Sequence, residues 1–132
     1  MDNMVTAVIN GEERPLNYSV EIMFKVNEKF GGVKDALNAV ESETREGAES
    51  VFWLLAELVN DGELCRREKG LEPMKMIRAE DFSLRMQPLE YIRLKDAVIQ
   101  AIGAGYKRET DSNEEVDLGL AEIKKKKAPA GA

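Results

Sequence analysis

A chain of 132 residues with 43% apolar content is long enough to bury a core without disulfide or metal staples. Its net charge is −6, all of it carried by residues 1–106, where 13 Lys and Arg face 19 Asp and Glu; an acidic folded part argues against nucleic acid as partner. There is no His and one Cys, Cys65, so an intramolecular disulfide is excluded, and the commonest general base and commonest metal ligand are missing.

Residues 5–16 read as a β-hairpin. Val5, Ala7 and Ile9 alternate with Thr6 and Val8, and Asn10-Gly11 supplies a turn whose two positions need positive φ. Arg14-Pro15-Leu16 carries a short return strand, expected at an edge because Pro15 donates nothing to a ladder. A lone hairpin cannot bury its own apolar face, so the helices after it must complete the core.

Ser19 reads as the N-cap of a first helix over Val20–Phe30, with Ile22, Val26 and Phe30 on one face and Gly31-Gly32 as its stop. A second helix follows over Val33–Glu41, presenting Val33, Ala36, Leu37 and Val40. Thr44 caps a third, whose stripe of Ala48, Val51, Phe52, Leu55, Leu58 and Val59 is widened by Trp53 and Leu54 and marks it as central to the core. Asn60-Asp61-Gly62 is its weak spot. The reading carries the helix past it, through Glu63, Arg66, Arg67 and Glu68 as a solvated continuation, to a stop at Gly70.

Residues 71–78, with Pro73, are expected to be irregular, and 79–86 to form one or two helical turns. Pro88 opens the last helix, whose buried face is read as Leu89, Ile92, Leu94, Val98, Ile99, Ala101 and Ile102, with Gly103 and Gly105 ending it. The predicted fold class is therefore α+β: an N-terminal β-hairpin packed on a mostly helical domain of about four helices, residues 1–106. Residues 107–132 are expected to be a flexible, disordered tail, too poor in apolar groups to offset ordering at ~1–2 kcal/mol per residue. Val116, Leu118, Leu120 and Ile123 offer that tail a short segment for docking on a partner. No basic start with an apolar run, and no stretch of bilayer length, is present, so the expectation is a cytoplasmic protein with no membrane partner.

The adjacent carboxylates Glu12-Glu13, Glu41 with Glu43, Glu80-Asp81 and Glu114-Glu115 lie in no apolar surround and read as solvated surface, not acid–base pairs. Arg66 and Arg67 could lower the Cys65 thiol pKa, but with no His as base Cys65 reads as a half-buried structural residue. Gly31-Gly32 and Gly103-x-Gly105 lack the strand–turn–helix setting of a phosphate loop. The Lys run at 124–127 sits in a tail of zero net charge and reads as solvated. No catalytic, cofactor-binding or metal residue is assigned, and no cofactor is expected. The site on offer is a partner-binding one: Met74, Met76, Ile77, Phe82 and Met86 cluster around the irregular segment, with Leu84 nearby, and Met-rich surfaces adapt to partners. Gap-filling under a loop explains the same residues equally well.

The run Val5-Thr6-Ala7-Val8-Ile9-Asn10-Gly11-Glu12-Glu13-Arg14-Pro15-Leu16 is followed by Tyr18-Ser19-Val20-Glu21-Ile22-Met23-Phe24. The Gly31-Gly32 break, the aromatic-rich central helix and the Pro88-Leu89-Glu90 start come after it. This combination resembles the tail assembly chaperones of long-tailed bacteriophages and prophages, over roughly residues 4–106. The resemblance implies a small non-catalytic protein of the host cytoplasm, absent from the finished virion. Such a protein binds the tape measure protein, helps recruit tail tube subunits, and in several cases forms a homo-oligomer. It also implies a ribosomal frameshift near the gene's end, for which four consecutive Lys codons at 124–127 could supply an A-rich slippery tract; codons that break the A run would exclude this. A different class stands beside it, a small acidic adaptor or antitoxin-like regulatory module binding one folded partner. A toxin gene next to this one, in place of a tape measure gene, would favour that alternative.

Overall fold

The computed structural model describes residues 4–107; the predicted tail from residue 108, with its 116–123 segment and its 124–127 Lys run, lies outside the described residues. The chain folds as an α+β protein, a two-stranded hairpin followed by four helices. Strands β1 (Val5–Ile9) and β2 (Glu12–Leu16) pair antiparallel, Val5 opposite Leu16 and Ile9 opposite Glu12. Asn10 and Gly11 take φ of 54° and 80°, the pair of left-handed residues that matches a tight turn to the natural strand twist. Because that turn closes the ladder at once, the return strand begins at Glu12 and not at Arg14. Ala7 and Ile9 are buried while Thr6 and Val8 are exposed; Arg14, Pro15 and Leu16 are all buried, since β2 lies against a helix.

Helix α1 (Val20–Phe30) is capped by Ser19, whose Oγ accepts from the Ile22 N–H, and Gly31 ends it at φ 97°. Helix α2 (Val33–Glu41) buries Ala36 and Val40. Helix α3 (Arg45–Glu68) is capped by Thr44, whose Oγ1 accepts from the Gly47 N–H. It ends where the Gly70 N–H donates to the Arg67 carbonyl and the Leu71 N–H to the Arg66 carbonyl, at 2.9 and 3.1 Å, a paired bond pattern that satisfies two orphan carbonyls. Val51, Leu54, Leu55, Leu58 and Val59 are fully buried, and β2, α2 and α4 (Pro88–Gly105) pack around them, so α3 is the axis of the core.

α3 does not break at Asn60-Asp61-Gly62. The β2 backbone crosses the helix there: a Cβ on Gly62 would stand 1.9 Å from the Pro15 carbonyl oxygen. Glycine is therefore a close-approach residue, tolerated in the helix because it lets the hairpin seat. Just beyond the crossing the Asn17 N–H donates to the Leu58 carbonyl at 3.1 Å, tying the hairpin exit to α3.

The solvated continuation expected at Glu63 is wrong: Glu63 is 0% exposed. The buried face of α4 also differs from expectation. Leu94, Ala97, Val98, Ala101 and Ile102 are buried, whereas Leu89 and Ile92 are exposed. The expected set held more apolar residues than one helical face can hold: at 100° per residue, Ile92 lies on the side away from Leu94 and Val98. Gly103 and Gly105 fall inside the helix, which ends at Gly105. There the Tyr18 and Tyr106 rings sit 5.3 Å apart with their hydroxyls at 3.2 Å, closing α4 onto the hairpin exit. Residues 71–78 carry no regular structure, as expected, and 79–86 contribute a 3-10 turn at Ala79–Asp81 and a second turn closed by the Met86 N–H on the Ser83 carbonyl at 3.2 Å. Among the described residues no helix is long and apolar enough to cross a membrane.

Candidate functional site

The irregular stretch 71–78 is held by two side chains one turn apart on α3. Asn60 grips Ile77 from both sides: its Oδ1 accepts from the Ile77 N–H at 2.9 Å and its Nδ2 donates to the Ile77 carbonyl at 2.8 Å. Glu63 accepts from the Met74 N–H at 2.7 Å, from Arg67 Nε and Arg66 Nη1 at 2.9 Å each, and pairs with Arg14 at 3.6 Å. Each of these arginines also donates to a carbonyl of the stretch: Arg66 to Glu72, Arg67 to Met74 and Arg14 to Lys75. Backbone groups that would find partners in a sheet thus find them in side chains.

Burial alone would push the Glu63 carboxyl up. The Met74 amide and the Arg67 and Arg66 guanidinium groups override it and hold the pKa at about 2. Glu63 is therefore ionised at neutral pH, and both oxygens are occupied. Arg66 and Arg67 are engaged by Glu63, and the Cys65 thiol is raised by burial first and by Asp61 and Glu68 next; that is the reverse of an activated nucleophile.

The clamp decides what the predicted partner-binding residues do. Ile77 is core, and Met74 and Met76 are half-buried beside it on a segment fixed by its backbone. Phe82 is half-buried and stacks on Phe52, with centroids 5.3 Å apart and planes 20° apart. Of the five, Met86 alone lines the open groove beside the start of α4. The gap-filling reading thus holds for Ile77, and the five residues do not form one surface. Asn60→Ala removes both bonds to Ile77 and leaves buried backbone groups unpaired. The expected loss is about 2 kcal/mol in urea titration, with the Ile77 amide losing hydrogen-exchange protection before the α3 amides.

The groove opens between the α2–α3 loop, the 82–86 segment and the first turns of α4, with a volume of 570 Å³. Ala48 and Phe52 form its floor, Leu84 and Met86 one wall, and Tyr91 and Ile92 the other. The Tyr91 ring meets Phe52 edge-on at 6.0 Å. Leu84 and Ile92 are each 57% exposed, so the walls present apolar surface to solvent. Arg45 and Lys95 stand at the rim with Glu43, and among the described residues neither cation is in an ion pair.

Of the groove residues, the sequence pointed to Met86, with Leu84 near it, but not to Tyr91 and Ile92, having placed Ile92 in the core. The available signal was the excess of apolar residues on α4 over what one buried face holds. Such a groove can take up an apolar helical face with carboxylates beside it. No protein-family model matches this chain, and comparison with curated proteins and with solved structures returned no match.

Proposed function

We propose that this chain is a non-catalytic phage or prophage tail assembly chaperone, which holds the tape measure protein by apolar helical surface and helps recruit tail tube subunits in the host cytoplasm. The observation that carries the reading is the exposed apolar groove between α3, α4 and the 82–86 segment, joined to the sequence resemblance over residues 4–106. A groove with a Phe52 floor, a Met86 wall and a cationic rim suits a helical client whose apolar stripe is flanked by carboxylates. The non-catalytic part is supported by Glu63, the buried carboxylate, which is held ionised and saturated with hydrogen bonds where a general acid would need a raised pKa.

Ile92→Asp puts a charge on the groove wall at an exposed position. Co-expression with the tape measure protein from the same locus is expected to give a complex with the parent chain and at least a tenfold weaker one with the variant. Stability should stay within ~0.5 kcal/mol of the parent. Failure of the parent chain to co-purify with any tail protein would overturn the assignment.

A further inference from the structure

We propose that residues 116–123 of this same chain occupy the groove formed by Phe52, Leu84, Met86, Tyr91 and Ile92, so that the free protein covers its own docking surface. The proposal stands on the groove and the sequence and does not depend on the phage reading.

Three observations converge on this occupant. The first is reach. Ile92 lies 15 positions before Lys107 on a helix rising ~1.5 Å per residue, so the groove is about 22 Å back along α4 from the last described residue. The nine residues from Lys107 to Val116 extend to about 30 Å, enough to return with slack. The second is chemistry. Val116, Leu118, Leu120 and Ile123 are the large aliphatic residues beyond Lys107, and Val116, Leu120 and Ile123 fall at the i, i+4, i+7 spacing that a groove reads from a docked helix. The third is charge. Residues 111–123, which precede the Lys run at 124–127, contain Asp111, Glu114, Glu115, Asp117 and Glu122 and no basic residue, while Arg45 and Lys95, beside Glu43 at the groove rim, are in no ion pair among the described residues.

Tethering makes weak contacts sufficient. A segment on a short linker experiences an effective concentration of order mM, so an intrinsic affinity of only ~1 mM leaves the groove about half filled. Any external ligand then competes with the chain itself, and its apparent affinity falls by the fraction of groove left open.

The test compares the full chain with its Leu118→Asp, Leu120→Asp double variant by methyl NMR. The Met86 and Ile92 methyl resonances are expected to move in the variant, alike at low and high protein concentration, and binding of an apolar dye is expected to rise several-fold. Unchanged resonances overturn the proposal. Shifts that appear only as concentration rises place a second copy in the groove and overturn it equally. Because the readout needs no client, its failure leaves the chaperone reading standing, and a failed client pull-down leaves this proposal standing.

Discussion

Gly62→Ala is expected to cost about 3 kcal/mol or more, a large share of the 5–15 kcal/mol that holds a typical domain together. On an isolated helix the same change would help by up to ~1 kcal/mol, since alanine is the better helix former. Here the added methyl would meet the Pro15 carbonyl oxygen at 1.9 Å and its carbon at 2.6 Å. Both are backbone atoms, so no rotamer change relieves the clash; either β2 lifts off α3 or the helix bends. Lifting β2 would also stretch the bond from the Asn17 N–H to the Leu58 carbonyl and uncover Leu16. Chemical denaturation read by Trp53 fluorescence measures the loss. A Gly62→Ala protein as stable as the parent would show that the hairpin does not seat where the structure puts it.

The second large effect is at Glu63. Glu63→Gln keeps the shape and removes the charge, leaving Arg14, only 3% exposed and with an unpartnered Nε, as an uncompensated buried cation. Breaking a buried ionic cluster from one side costs about 3–5 kcal/mol. The pH dependence follows from the same carboxyl, which titrates near 4.5 when unfolded and at about 2 when folded. The folded state takes up the proton less readily, so the stabilisation is complete above about pH 4.5 and drains away as pH falls towards 2. A difference of that size is worth about 3 kcal/mol. Urea midpoints measured between pH 6 and pH 2.5 should fall steeply for the parent and much less for Glu63→Gln. Parallel curves would mean that another group governs the acid limb.

The local elements were legible because local chemistry writes them. Ser19 and Thr44 each have a hydroxyl that accepts from the first turn, Gly31 and Gly70 take positive φ at helix ends, and Asn10-Gly11 fixes the hairpin. Each depends on residues within a few positions of one another, which is what a pattern in sequence can encode. The clamp was not read, although one signal was there. Glu63 follows Val59 by four positions and Leu55 by eight, which places a carboxylate on the most buried stripe of the longest helix. A charge there demands partners, and they come from β2, from its own helix and from a stretch with no periodicity of its own.

By itself, then, the sequence determined the hairpin, its turn, the bounds of the first three helices and their capping, since these are settled by backbone conformation and short-range bonds. Tertiary structure alone decided three things: that Gly62 is a crossing point, that Glu63 is the anchor of residues 72–75, and that Ile92 faces out beside Leu84 to make a groove. Each depends on which distant backbone arrives at a given helical face, and spacing along one chain carries no record of that arrival.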